Sequence, residues 1–233
     1  MSNMQVKEAP PVSAPPSLSV AAYDYLLARL RGGLLANNER LVESEIANQL
    51  GVSRVPVRQA LLQLVAEGYL VSTPRGYKVP TLSAQDIEEV FELRVLLEPR
   101  AAALAARDIT DEKLELVDSA ITEALVAHDI DDATGIFRAG WHFRDAWLAA
   151  LTNSRLASAI AKYADQVALV RHMTLGDARR RVTVIAGYRE LRDAFARRDS
   201  VRAHDAMLRL VIAAQRDFTE LVRHAPNGDV EQK

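Results

Sequence analysis

The chain has 233 residues, 49% hydrophobic and 26% charged, with a formal net charge of −2 and no cysteine. That length accommodates one large domain or two small ones with real cores, and the missing cysteine excludes a disulfide framework, thiolate metal sites and a cysteine nucleophile. No apolar run is long enough to span a bilayer, and the opening MSNMQVKEAPPVSAPPSLSV lacks a basic start followed by an apolar core, so the expectation is a cytoplasmic protein with no membrane segment.

Residues 1–18, with Pro10, Pro11, Pro15 and Pro16 among small residues, read as a disordered arm. Residues 19–35 predict an amphipathic helix, with Ala22, Leu26 and Leu30 on one stripe and Gly32-Gly33 at its end. Two short helices joined by a tight turn are predicted next. Ile46, Ala47 and Leu50 fall at helical spacing, and Gly51 can adopt the left-handed conformation that ends a helix. Ser53 is suited to cap the second helix through its hydroxyl, and Pro56 sits in the first turn, where its missing amide costs nothing. Val57, Ala60, Leu61 and Leu64 form the buried stripe, which leaves Arg54 and Arg58 side by side on the open face. Pro74-Arg75-Gly76 between Leu70-Val71-Ser72-Thr73 and Tyr77-Lys78-Val79 predicts a hairpin wing with Arg75 at its tip.

Two arginines four apart are usually a solvated face. Combined with a tight turn, a capped helix start and a basic wing, they predict a winged helix-turn-helix that binds duplex DNA. Charge agrees by region. Residues 19–80 hold seven Lys/Arg against five Asp/Glu, a net of +2, whereas residues 81–228 hold 20 against 23, a net of −3. So few cations neutralise few phosphates, and useful affinity calls for a homodimer engaging two half-sites of an operator.

From Ser83 onward no strand is predicted. Ser83 and Asp86 make a capping box for a helix running through Val90, Leu93, Leu97 and Leu104, which Pro99 should kink or break. Helices are expected at 111–127, 132–151, 155–174, 177–198 and 200–224, then a loose tail from 226. Short connections imply an antiparallel bundle. The fold class is therefore mainly α, with a DNA-binding unit at 19–80 and an all-helical unit at 83–225. Arg179-Arg180-Arg181 reads as a solvated face that could touch DNA, and Asp129, Asp131 and Asp132 read as caps for the following helix rather than a cation site. No Ser/His/Asp constellation, phosphate-binding glycine loop or dinucleotide fingerprint points to an enzyme.

The stretch LVESEIANQLGVSRVPVRQALLQLVAEGYL resembles the DNA-binding domain of GntR-family bacterial regulators, and VFELRVLLEPRAAALAA resembles the opening helix of the FCD-type sensor domain of the FadR-type branch. The resemblance spans about residues 19–223. It implies a homodimeric transcription regulator, more often a repressor, that binds operator DNA and a small-molecule effector. The helix start and the wing give the expected DNA contacts as Ser53, Arg54, Val55, Arg58, Arg75 and Gly76.

The same resemblance implies a divalent metal held by an Asp and three His. In register, those positions are occupied by Gly140, Arg144, Tyr188 and Leu210. Glycine and leucine offer no donor, and a guanidinium cannot shed its proton to coordinate. His142 lies on a different helix face, and the remaining histidines (His128, His172, His204, His224) read as surface residues. The expectation is no metal and no cofactor. Arg144, helped by Tyr188 and Arg94, would instead clamp a carboxylate effector such as an organic acid. The alternatives are a non-carboxylate ligand, or a ligand-independent dimeric DNA-binding protein whose bundle serves only dimerisation and whose Arg144 pairs with an internal carboxylate.

Overall fold

The structure, a computed structural model, describes residues 17–31, 35, 39–80, 82–167 and 174–224, excepting the side chains at 222 and 224. The expected arm up to residue 16, Gly32-Gly33, Thr81, His172, the His224 side chain and the tail from 225 lie outside these residues. Within them the molecule is helical apart from one small sheet.

The first helix, α1 (Leu18–Arg31), buries Ala22 and Leu26 against α3 (Arg54–Ala66). Between them lies α2 (Glu43–Leu50), which ends at Gly51 with φ +64°, a conformation that costs glycine nothing. There the Val52 amide donates to the Ala47 carbonyl, satisfying a terminal acceptor. Ser53 occupies the predicted cap position of α3 with an extended backbone, but its hydroxyl makes no capping hydrogen bond.

Three antiparallel strands, β1 (Arg40–Leu41), β2 (Val71–Thr73) and β3 (Gly76–Lys78), run in the order β1-β3-β2. The hairpin was expected. Strand β1 was not, and it places Arg40 across from Lys78 and Leu41 across from Tyr77. Leu26, Val57, Leu61, Leu64, Leu70 and Tyr77 close a core of their own. Burying each of these aliphatic side chains contributes about 1.5–3 kcal/mol, which holds so small a unit together.

Six helices follow among the described residues. Helix α4 (Ala84–Asp108) starts at a capping box in which Ser83 and Asp86 exchange hydrogen bonds. It runs through Pro99 as one helix, so the break that Pro99 could have imposed does not occur. Pro99 is buried on a face rich in alanine (Ala101, Ala102, Ala105, Ala106) that packs closely on the last helix, and that tertiary packing outweighs one lost amide bond. The others are α5 (Asp111–Asp129), α6 (Ala133–Leu148), α7 (Ser154–Gln166), α8 (Ala178–Ala196) and α9 (Ser200–His224). Helix α6 is buried almost all round, as the central helix of a bundle must be. Phe91, Phe143, Trp147, Leu191, Phe195 and Val211 form the bundle core.

Candidate nucleic-acid interface and effector cavity

At the start of α3, Ser53, Arg54, Val55 and Arg58 are all exposed, while Pro56 and Val57 pin the same turn to the core from behind. The two arginine side chains are 70% and 67% exposed, and one carboxylate reaches both. Glu43, first residue of α2, places Oε2 3.5 Å from Arg54 Nη2 and Oε1 3.8 Å from Arg58 Nε. The Tyr77 hydroxyl on the wing donates to Glu43 Oε1 at 3.2 Å.

The wing tip carries Arg75, exposed, and its carbonyl accepts a hydrogen bond from Arg40 Nε. Gly76, at φ +131°, sits behind the tip. A Cβ built there would lie 2.5 Å from the Leu41 carbonyl oxygen, so only glycine lets β1 approach. Helix α3 therefore offers its positive end and two guanidiniums beside a wing bearing Arg40, Arg75 and Lys78, an arrangement suited to phosphates and guanine edges.

The second site is a cavity in the bundle. Gly140, Arg144, Tyr188 and Leu210, drawn from three helices, all line it, as does Arg94. Its floor is aromatic, with Phe143 and Tyr188 stacked at 4.1 Å between ring centroids. The space open to the centres of water-sized atoms is about 60 Å³.

Arg144 is buried and its Cζ lies 4.8 Å from the Trp141 ring centroid. Arg94 is also buried, but its charge is committed: it donates to both oxygens of Glu98 at 2.6 and 3.4 Å. Arg180 lines the cavity and pairs with Asp217 at 3.8 Å and Glu220 at 3.6 Å. Burial pushes the Asp217 carboxyl above its ordinary pKa, against the pull of Arg180.

Residues 18–76 match the model for bacterial regulatory proteins of the gntR family, and residues 89–213, more than half of the chain, match the FCD domain. The chain belongs to the GntR family. This GntR-family regulator is 31% identical over 202 residues to the HTH-type transcriptional regulator Rv0043c of Mycobacterium tuberculosis, covering 85% of this chain and 80% of that one. With the HTH-type transcriptional regulator YdhC of Bacillus subtilis it shares 24% identity over 188 residues, 80% of this chain and 84% of the relative. Among solved structures it shares the fold of Escherichia coli McbR, with a TM-score of 0.79 at 24% identity over 91% of this chain and all of that one.

The metal implied for an FCD-bearing GntR regulator does not fit these residues. The four positions do converge, but they bring one buried guanidinium, one phenol, a glycine and a leucine. The fixed positive charge of Arg144 would repel a dication. His142 points away, half-exposed, with Nδ1 2.7 Å from Glu123 Oε2. Among the described residues no cluster of three or more His, Asp or Glu could hold a metal ion.

Two expectations for this GntR regulator need correction. Arg94 lines the cavity, but as half of an ion pair rather than an open clamp. The run at 179–181 is not a solvated face. Arg179 is exposed beside Asp177, Arg180 turns to the cavity, and buried Arg181 bonds Asp131 and the carbonyls of Leu175 and Gly176. Sequence reasoning also missed Glu43, Arg40 and Lys78. Only the spacing of Glu43 ahead of the turn hinted at its reach to α3.

Proposed function

We propose that this GntR-family regulator binds a pseudo-palindromic operator as a homodimer through residues 19–80. Residues 83–225 join the two copies and bind a small carboxylate that controls operator occupancy, and the regulator acts as a repressor. Arg54 and Arg58 serve base edges or phosphate, Ser53 a phosphate, Val55 an apolar base edge, and Arg75 with Gly76 behind it the neighbouring groove.

One observation carries the effector half: Arg144 is buried in the wall of a small cavity whose other charged lining residues, Arg94 with Glu98 and Arg180 with Asp217, pair with one another. A guanidinium so placed offers a carboxylate two parallel donors, and its burial from water strengthens them. Tyr188 lines the same cavity and brings a hydroxyl to the set. The limited space favours an acid of few heavy atoms.

A second reading draws support from the ion pairs that engage Arg94 and Arg180: the cavity is structural and the bundle only dimerises. A thermal-shift screen of small aliphatic and aromatic carboxylates separates the two. Stabilisation by one acid that vanishes in Arg144→Ala supports the sensor; a flat response across the panel favours the bare dimeriser.

A further inference from the structure

Two guanidiniums from different halves of the molecule lie against the Trp141 ring. Arg144, one turn further along α6, belongs to the cavity and stacks at 4.8 Å. Arg31, the last residue of α1 in the DNA-binding unit, has its Cζ 5.1 Å from the same ring. The indole Nε1–H also donates to the Arg31 carbonyl at 3.0 Å.

Asp165 on α7 completes the junction. Its Oδ2 accepts from Arg31 Nε at 3.2 Å and from the Tyr69 hydroxyl, just beyond α3, at 2.7 Å. Both donors come from the DNA-binding unit. The carboxylate is 3% exposed, and Oδ1 is buried without a hydrogen bond. Burial raises its pKa, while the positive charges of Arg31 and Arg144 and the Tyr69 hydroxyl pull it back down. Its ionised form thus leans on one cation from each side of the junction.

From this juxtaposition we infer that Asp165 and Trp141 report cavity occupancy to the DNA-binding unit, with Arg144 shared between them and the effector. The inference rests on the carboxylate reading of the cavity given above. An anion seated on Arg144 neutralises it and turns it toward the cavity. Asp165 then loses one of the two cations that stabilise it. A buried carboxylate deprived of a cation takes up a proton or draws in water. Either outcome loosens the hold of α7 on Arg31 and Tyr69. The two DNA-binding units then lose their fixed spacing, and simultaneous engagement of two half-sites weakens.

The test leaves ligand out altogether. Amide hydrogen exchange is measured by mass spectrometry on the full-length protein as wild type, R144Q, D165N and the double variant. Each single change is expected to speed exchange in the last turn of α1 and around Tyr69 by roughly tenfold, with the double variant adding little further and α5 unchanged. Wild-type exchange at those amides in R144Q, or single effects that multiply in the double variant, would overturn the inference. Trp141→Phe supplies a second route should R144Q not fold. It keeps a smaller aromatic face and deletes the N–H donor, so faster exchange at Arg31 supports the junction and an unchanged rate counts against it. A flat carboxylate screen beside a positive exchange cycle would strike the effector reading alone. A positive screen beside a null cycle would strike this inference alone.

Discussion

Glu43 Oε2 stands 3.5 Å from Arg54 Nη2, so an exposed arginine at the start of α3 is paired with an acidic residue of the preceding helix. The same carboxylate reaches Arg58 and accepts from Tyr77, which couples α2, α3 and the wing through one side chain. At 18% exposure, Glu43 is far more enclosed than either arginine. Its charge offsets part of the positive charge of the two guanidiniums it lies beside. In the proposed operator complex this would exchange electrostatic attraction for discrimination.

Glu43→Gln preserves shape and removes the charge. Binding to a scrambled duplex should tighten several-fold, and the ratio of specific to non-specific affinity should fall by about tenfold. Competition titrations against the chain's own upstream region check this. An unchanged ratio would reduce Glu43 to a surface ion pair of little consequence.

Gly76→Ala sets a Cβ against the Leu41 carbonyl at a φ of +131°. The wing must shift or β1 must leave. The expected cost is about 1–3 kcal/mol, read as a lower urea midpoint, together with weaker DNA binding. A wild-type midpoint would mean that β1 contributes nothing to the unit.

Asp165 gives a pH signature. Burial holds its pKa above the ordinary carboxylate value in the folded protein. The folded state therefore keeps its proton where the unfolded state has already lost it, and the stability this provides is complete below the unfolded pKa. It disappears as pH rises through the raised value. The melting temperature of wild type relative to Asp165→Asn should accordingly decline on going upward from about pH 4. A difference that grows with pH would reverse the assigned sign.

The cavity's donor set predicts that undialysed protein carries no stoichiometric divalent metal. Elemental analysis finding one Zn, Ni or Mn per chain would show that Arg144 does not hold the place described for it.

The DNA-binding unit could be read from the chain because its signals are local. The Gly51 turn, the Val57–Leu64 stripe and the hairpin around Arg75 each depend on residues a few positions apart. Strand β1 could not be read, being two residues long and paired with residues far along the chain. Nor could the fates of Arg179, Arg180 and Arg181. Successive helical residues turn by about 100°, so three in a row cannot share a face, and only the neighbouring helices decide which one is buried. Pro99 failed to break α4 for a related reason, since packing on α9 lies outside any local rule. The register at 140, 144, 188 and 210 brought four residues to one cavity. That Trp141 would tie this cavity to Arg31 required the two units to be seen docked.

The most direct test of the account is retardation of the chain's own upstream DNA at low salt by full-length protein, wild type beside the Arg54→Ala/Arg58→Ala double variant. The wild type should retard the fragment, with log affinity falling by roughly 0.9 per phosphate neutralised for each decade of salt, and the variant should not retard it in preference to scrambled DNA. Failure of the wild type to retard that fragment, or equal preference by both proteins, would contradict the claim that this helix start reads the duplex.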